Sequence, residues 1–169
     1  EGSELPSMRP SLFDYATDLA AALDAERVAR PVVLVGHAYG NRIARAFASR
    51  YPQRVDSLVL LAAGDGAPPP DTRDAIMTVM LRIWPEATRR RALQQAFFAP
   101  ANTAPDYWLN GWYPSAGLAQ GYATANTPSP EWSGGGSAPM LILQPEHDAA
   151  AAEGAATLLH RFPQRVRVI

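Results

Sequence analysis

The sequence predicts an α/β fold: a mostly parallel sheet flanked by helices, split by a helical insertion. Three observations carry this. Val32–Val35, Leu58–Ala62 and Met140–Leu143 are short apolar runs that read as strands buried on both faces, as parallel strands are. A helical stretch separates the first run from the second, as a βαβ unit requires. From Gly64 to Ser137 strand signals are absent, and all four tryptophans fall there: Trp84, Trp108, Trp112 and Trp132.

Along the chain, Glu1 to Pro10 has no periodicity and reads as loop. Ser11 followed by Asp14 has the form of a capping box. Leu12, Tyr15, Ala16, Leu19, Ala22 and Leu23 recur at helical spacing, which predicts a helix from about Leu12 to Arg27. After the Val32–Val35 strand, Gly36 to Gly40 is a turn and Asn41 to Arg50 a helix with Ile43, Ala44, Phe47 and Ala48 on its apolar face. Gly66 to Pro70 is a stiff linker. Helices are expected near Thr72–Ile83, Glu86–Phe98, Pro105–Leu109 and Ser115–Ala125, then a flexible exit at Ser133–Ser137. After the third strand come a helix near Ala150–Arg161 and a strand start at Val166–Ile169.

Composition narrows the function classes. The 169 residues suffice for a core, and 47% are hydrophobic. With 15 basic and 16 acidic residues, no charge imbalance points to nucleic acid or an anionic membrane. The absence of cysteine excludes disulfides, thiolate metal sites and a cysteine nucleophile. No His/Asp/Glu cluster has metal-ligand spacing, and neither G-x-G-x-x-G nor a Walker lysine is present, so no metal or cofactor is expected. No apolar run approaches a membrane span and no secretory signal is visible, so a cytoplasmic protein is expected. A small-molecule substrate or ligand is the expected partner.

The chemistry is expected at Gly36-His37-Ala38-Tyr39-Gly40. A strand entering Gly-x-x-x-Gly and then a helix puts the central residue on a sharp turn, exposed above the sheet's carboxyl edge. A side chain at either glycine is expected to collide with neighbouring backbone. The amides that open the next helix favour negative charge beside the turn. An ordinary strand-to-helix glycine loop, including a phosphate-binding one, is the plainer alternative.

These residues resemble the α/β-hydrolase family. The carriers are V-L-V-G-H-x-Y-G-N-R-I-A from Val33, R-Y-P-x-R-V-x-S-L-V-L-L-A-A from Arg50, and the Pro139–Asp148 strand and loop, similar to the family's acid-bearing strand. The resemblance implies three divisions: residues 1–66 as a partial core with the nucleophile turn, 67–137 as a helical cap, and 138–169 as core continuation. It places Ala38 at the nucleophile position, the Tyr39 amide as an oxyanion donor, and Asp148 as the acid that orients a catalytic histidine. Asp65 is the competing acid, and a cap for the following helix is the plainer reading of Asp148. His37 neighbours the nucleophile. Trp108, Trp112, Tyr113 and Trp132 line a substrate pocket or form the cap's own core. Arg89-Arg90-Arg91 reads as a solvated helix face.

Two departures follow from the resemblance. A methyl group cannot attack a carbonyl, so Ala38 removes covalent catalysis. None of His37, His147 and His160 stands in the base position, the chain stopping before the expected histidine loop. The family's front strands also lack counterparts, so Val32–Val35 is expected at an unpaired sheet edge, completed by a second chain or a missing segment. The expected parent is a hydrolase of esters or similar acyl bonds in apolar substrates, inactive in this form. The alternative is a native pseudo-hydrolase that binds a small ligand or does non-covalent acid/base chemistry.

Overall fold

Ser11 opens the first helix as its capping pattern demands. Its Oγ accepts from the Asp14 amide at 3.2 Å, and its own amide donates to Asp14 Oδ2 at 2.7 Å. The computed structural model describes residues 9–64 and 66–169, so Asp65 and most of the expected N-terminal loop lie outside the described residues. Helix α1 spans Leu12–Ala25 and stops short of Arg27, which takes φ 57° beyond the helix end. Strand β1 (Val32–His37), helix α2 (Tyr39–Arg50) and strand β2 (Val55–Leu61) then form a βαβ unit. Among the described residues four α-helices follow without a strand between them: α3 (Pro70–Leu81), α4 (Glu86–Phe97), α5 (Pro114–Ala125) and the short α6 (Ser129–Trp132), with a 3-10 turn at Asp106–Leu109 before α5. Strand β3 (Met140–Leu143), helix α7 (Gly154–Arg161) and strand β4 (Val166–Val168) complete the described chain.

The four strands are parallel, in the order β1-β2-β3-β4. Their register sorts the side chains into two faces. Leu34, Leu58, Met140 and Val166 stand in one row, and Val35, Val59, Leu141 and Arg167 in the next. The first row packs under α1, α2 and α7, whose Leu12, Ala16, Phe47, Ala48, Ala155 and Leu158 share its core. Leu58, Leu60 and Ile142 are wholly buried there, each contributing about 1.5–3 kcal/mol. The second face is most open at β1, where Val33 is 53% and Val35 68% exposed, while Val59 and Leu141 are half-buried. For β1 this corrects the expectation of strands buried on both faces. Apolar runs report that both faces suit burial, and among the described residues the main-core helices share one face. β1 is an edge of the described sheet.

The block between β2 and β3 has a core of its own. Ala75, Val79, Ala92, Leu93, Ala96, Ala104 and Leu109 cluster there, joined by Ile76, Phe98 and Trp112. Two further expectations fail here. Arg89 is buried and donates to the Leu109 carbonyl, while Arg90 pairs with Glu86 and Asp106, so this arginine run is only partly a solvated face. The Ser133–Ser137 exit is a packed turn. A Cβ on Gly136 would lie 2.5 Å from the Ala48 carbonyl oxygen, and the Gly136 amide donates to Ser49 Oγ at 3.1 Å.

Candidate active site

The turn after β1 has the geometry its sequence suggests. Ala38 has φ 49° and ψ −117°, a region that residues with a Cβ avoid. It stands exposed at the carboxyl edge of the sheet, with its amide donating to the Leu61 carbonyl at 3.1 Å. Gly36 is required by space. A Cβ there would sit 2.7 Å from Asn41 Cα and 2.7 Å from the Gly40 carbonyl oxygen. Gly40 is not: a Cβ there meets nothing within 4 Å, which corrects half of the two-glycine argument. Of these two glycines, Gly36 alone is pinched between strand and helix.

Tyr39 opens α2, and as a first-turn residue its amide has no acceptor within the helix. Its hydroxyl donates to the Gln120 carbonyl at 2.9 Å, and its ring meets Tyr15 edge-on at 6.2 Å. Burial, chiefly, pushes this phenol up to about 12 from the ordinary 10. Nearby Arg42 donates to Gly66 and to Thr124 Oγ1, so α2 is tied at two points to α5.

Asp148 sits in the loop after β3. Its Oδ1 accepts from the Ala150 and Ala151 amides, each at 2.9 Å, and its Oδ2 from Gln144 Nε2 at 2.9 Å. It therefore fixes the turn at 148–151. It does not cap the helix as the plainer reading held, because α7 begins at Gly154 with Glu153 before it. Among the described residues no histidine donates to this carboxylate.

The remaining candidates are dispersed. His37 lies exposed at the end of β1 and lines a groove of about 350 Å³ with Leu61, Ala62, Leu143, Gln144, Pro145 and Ile169. Asp148 lines a separate cleft of about 640 Å³, shared with His147, Phe98, Asn102 and Thr103. Trp108 and Trp112 border a third depression of about 310 Å³; both rings meet Phe97 at a tilt, and Trp108 also meets Phe98 edge-on. Tyr113 is exposed just before α5. Trp132 is 2% exposed, in the main core under Arg45, so the pocket-lining role expected of it is corrected. Sequence reasoning passed over Gln144, which holds Asp148, and the buried pair Asn41 and Arg45. Their signal was Asn and Arg spaced i, i+4 on the face of α2 that carries Ala44 and Ala48.

Fold and turn together define a protein of the strand–elbow–helix type found in hydrolases. The profile described as "alpha/beta hydrolase fold" matches residues 6–106, more than half the sequence, and the chain belongs to that family. A protein of Mycobacterium tuberculosis, described as uncharacterized, is 42% identical over 65 residues, which is 37% of this chain and 18% of that protein. Among solved structures, a hydrolase from Pseudomonas aeruginosa superposes with TM-score 0.74 at 19% identity, over 100% of this chain and 66% of that one. A membrane phospholipase A, described as a bacterial virulence factor, gives TM-score 0.68 at 19% identity, over 99% and 57%. A carboxylesterase structure from the thaumarchaeon Nitrososphaera gargenis gives 0.66 at 13% identity, over 96% and 64%. These structures share the fold, and this chain spans about three fifths of their length. Among the described residues no helix is long and apolar enough to cross a membrane.

Proposed function

We propose that the chain carries the nucleophile turn of an acyl-ester hydrolase, with Ala38 at the nucleophile position, so that this form performs no covalent hydrolysis. One observation carries the reading: a non-glycine residue held at φ 49° and exposed where a parallel strand turns into a helix. Strain of this kind costs about 1–3 kcal/mol and persists where the surroundings over-determine it. In an active relative of this arrangement a hydroxyl at position 38 passes its proton to a base histidine as it attacks the acyl carbon, and that proton goes on to the leaving alcohol as the ester C–O bond breaks. The Tyr39 amide receives the developing oxyanion, and Asp148 orients that histidine. Here the methyl of Ala38 has no lone pair to donate. Helices α3 to α6 act as the cap, and the exposed aromatics Trp108 and Tyr113 support an apolar acyl substrate. The solved neighbours described as a phospholipase and a carboxylesterase support the same bond class. The open face and edge of the sheet are completed by further polypeptide, from a second chain or a longer one.

The test is Ala38→Ser in a chain that carries the base histidine, assayed on p-nitrophenyl esters of graded acyl length. Turnover that follows acyl length supports the reading; a folded, inactive serine form counts against it. The engagement of Asp148 by Gln144 favours a second reading, a ligand-binding pseudo-hydrolase. Ligand binding left unchanged by Ala38→Ser, without turnover, would select it.

A further inference from the structure

Asn41 has no part in the chemistry above, yet it is buried to 1% exposure. A buried amide is tolerated where its donors and acceptor are engaged. Its Nδ2 donates to the Ala38 carbonyl and, at 3.3 Å, to the Ala62 carbonyl. These alanines directly follow β1 and β2, and both have positive φ, 49° and 53°. One side-chain amide thus links the two strained residues at the carboxyl edge of adjacent strands.

The amide is itself held. Its Oδ1 accepts from Arg45 Nη2 at 2.7 Å. Arg45 is fully buried, donates also to the carbonyls of Gly64 and Ser133, and lies with its guanidinium 4.6 Å from the centroid of the Trp132 ring. A planar guanidinium fixed on three sides leaves the Asn41 amide one orientation, with the nitrogen toward the two alanines.

We infer that Asn41 is a positioning residue: it holds the turn in its strained form and thereby presents whatever side chain stands at position 38, with Arg45 setting its orientation. The inference rests on position 38 being the nucleophile place. A backbone that met this geometry without help would have no use for a buried amide spanning both alanines.

A thermodynamic cycle on this chain tests the brace without turnover. Ala38→Gly removes the Cβ conflict and should raise Tm by about 2–4 °C. In an Asn41→Ala background the turn relaxes unaided, and the same substitution should give about half that rise or less. Exchange of the Ala38 amide should be about tenfold faster in Asn41→Ala than in the parent. Asn41→Ser, which keeps a small polar group, replaces Asn41→Ala in the cycle if the latter does not fold. Equal gains from Ala38→Gly in both backgrounds would overturn the inference, because the strain would then be imposed by the strand–helix connection alone. An Ala38→Ser form that hydrolyses nothing in a chain carrying the base histidine would instead count against the proposed function and leave the cycle's result standing.

Discussion

A Cβ on Gly36 would press on the backbone of Gly40 and Asn41, whereas one on Gly40 points into open space. Gly36→Ala should therefore cost about 1–3 kcal/mol as an overpacked contact. Gly40→Ala, in the first turn of α2, should be neutral or stabilise by up to about 1 kcal/mol. Urea midpoints of the two variants check this, and equal losses would contradict it. Tyr39 makes a prediction about pH. Its folded value of about 12 exceeds the ordinary 10, so the neutral phenol is favoured in the folded state. Its contribution to stability is complete below pH 10 and is lost as pH rises from 10 to 12. Tyr39→Phe, which cannot ionise, should flatten the fall in stability across that window, read as Tm against pH. Of the residues at this edge, Ala38 and Gly36 were legible because a local motif names them. Asn41 and Arg45 were not, because Ala62, Gly64 and Ser133 reach them from remote segments; Gln144 was not, because its partners Asp148 and Ala151, though near in sequence, meet it through a loop that no period marks.

Elements recoverable from the sequence were those with an unambiguous period. Met140–Leu143 was bounded correctly, and Ser11 marked the start of α1. The start of α7 was placed early, because the alanine-rich stretch from Ala149 has helical propensity while Asp148 draws its amides into a turn. At Ser133–Ser137 the glycines looked like flexibility but serve close approach, Gly135 beside Leu58 and Gly136 beside Ala48. The helical block offers an independent check. Leu93 is fully buried in a core separate from that of the sheet. Leu93→Ala should cost about 2–5 kcal/mol. Its hydrogen-exchange signature should fall on α3 and α4 while the amides of β2 and β3 keep their protection. Equal loss across sheet and block would show that the two cores melt as one.

At the largest scale, the consequential feature among the described residues is a parallel sheet with one covered face and a second face left open at the edge strand. Apolar strand runs made the sheet legible, but no strand pattern states how many layers the surrounding chain supplies. Val33 and Val35 present an exposed apolar row on the edge strand. Replacing both with Lys should reduce concentration-dependent association of this chain in sedimentation velocity, and unchanged association would place the contact elsewhere. The central claim is that this molecule keeps a hydrolase nucleophile turn with alanine in the reacting place. Because the sequence has no cysteine, Ala38→Cys provides a single thiol at that place. The decisive measurement is its titration, followed by its mass after exposure to an activated acyl ester, with Ala101→Cys as an exposed control. A thiol at the start of α2 should titrate below the usual ~8.5 and take up one acyl group faster than the control. A thiol at position 38 that titrates at or above ~8.5 and acylates no faster than the control would contradict the claim.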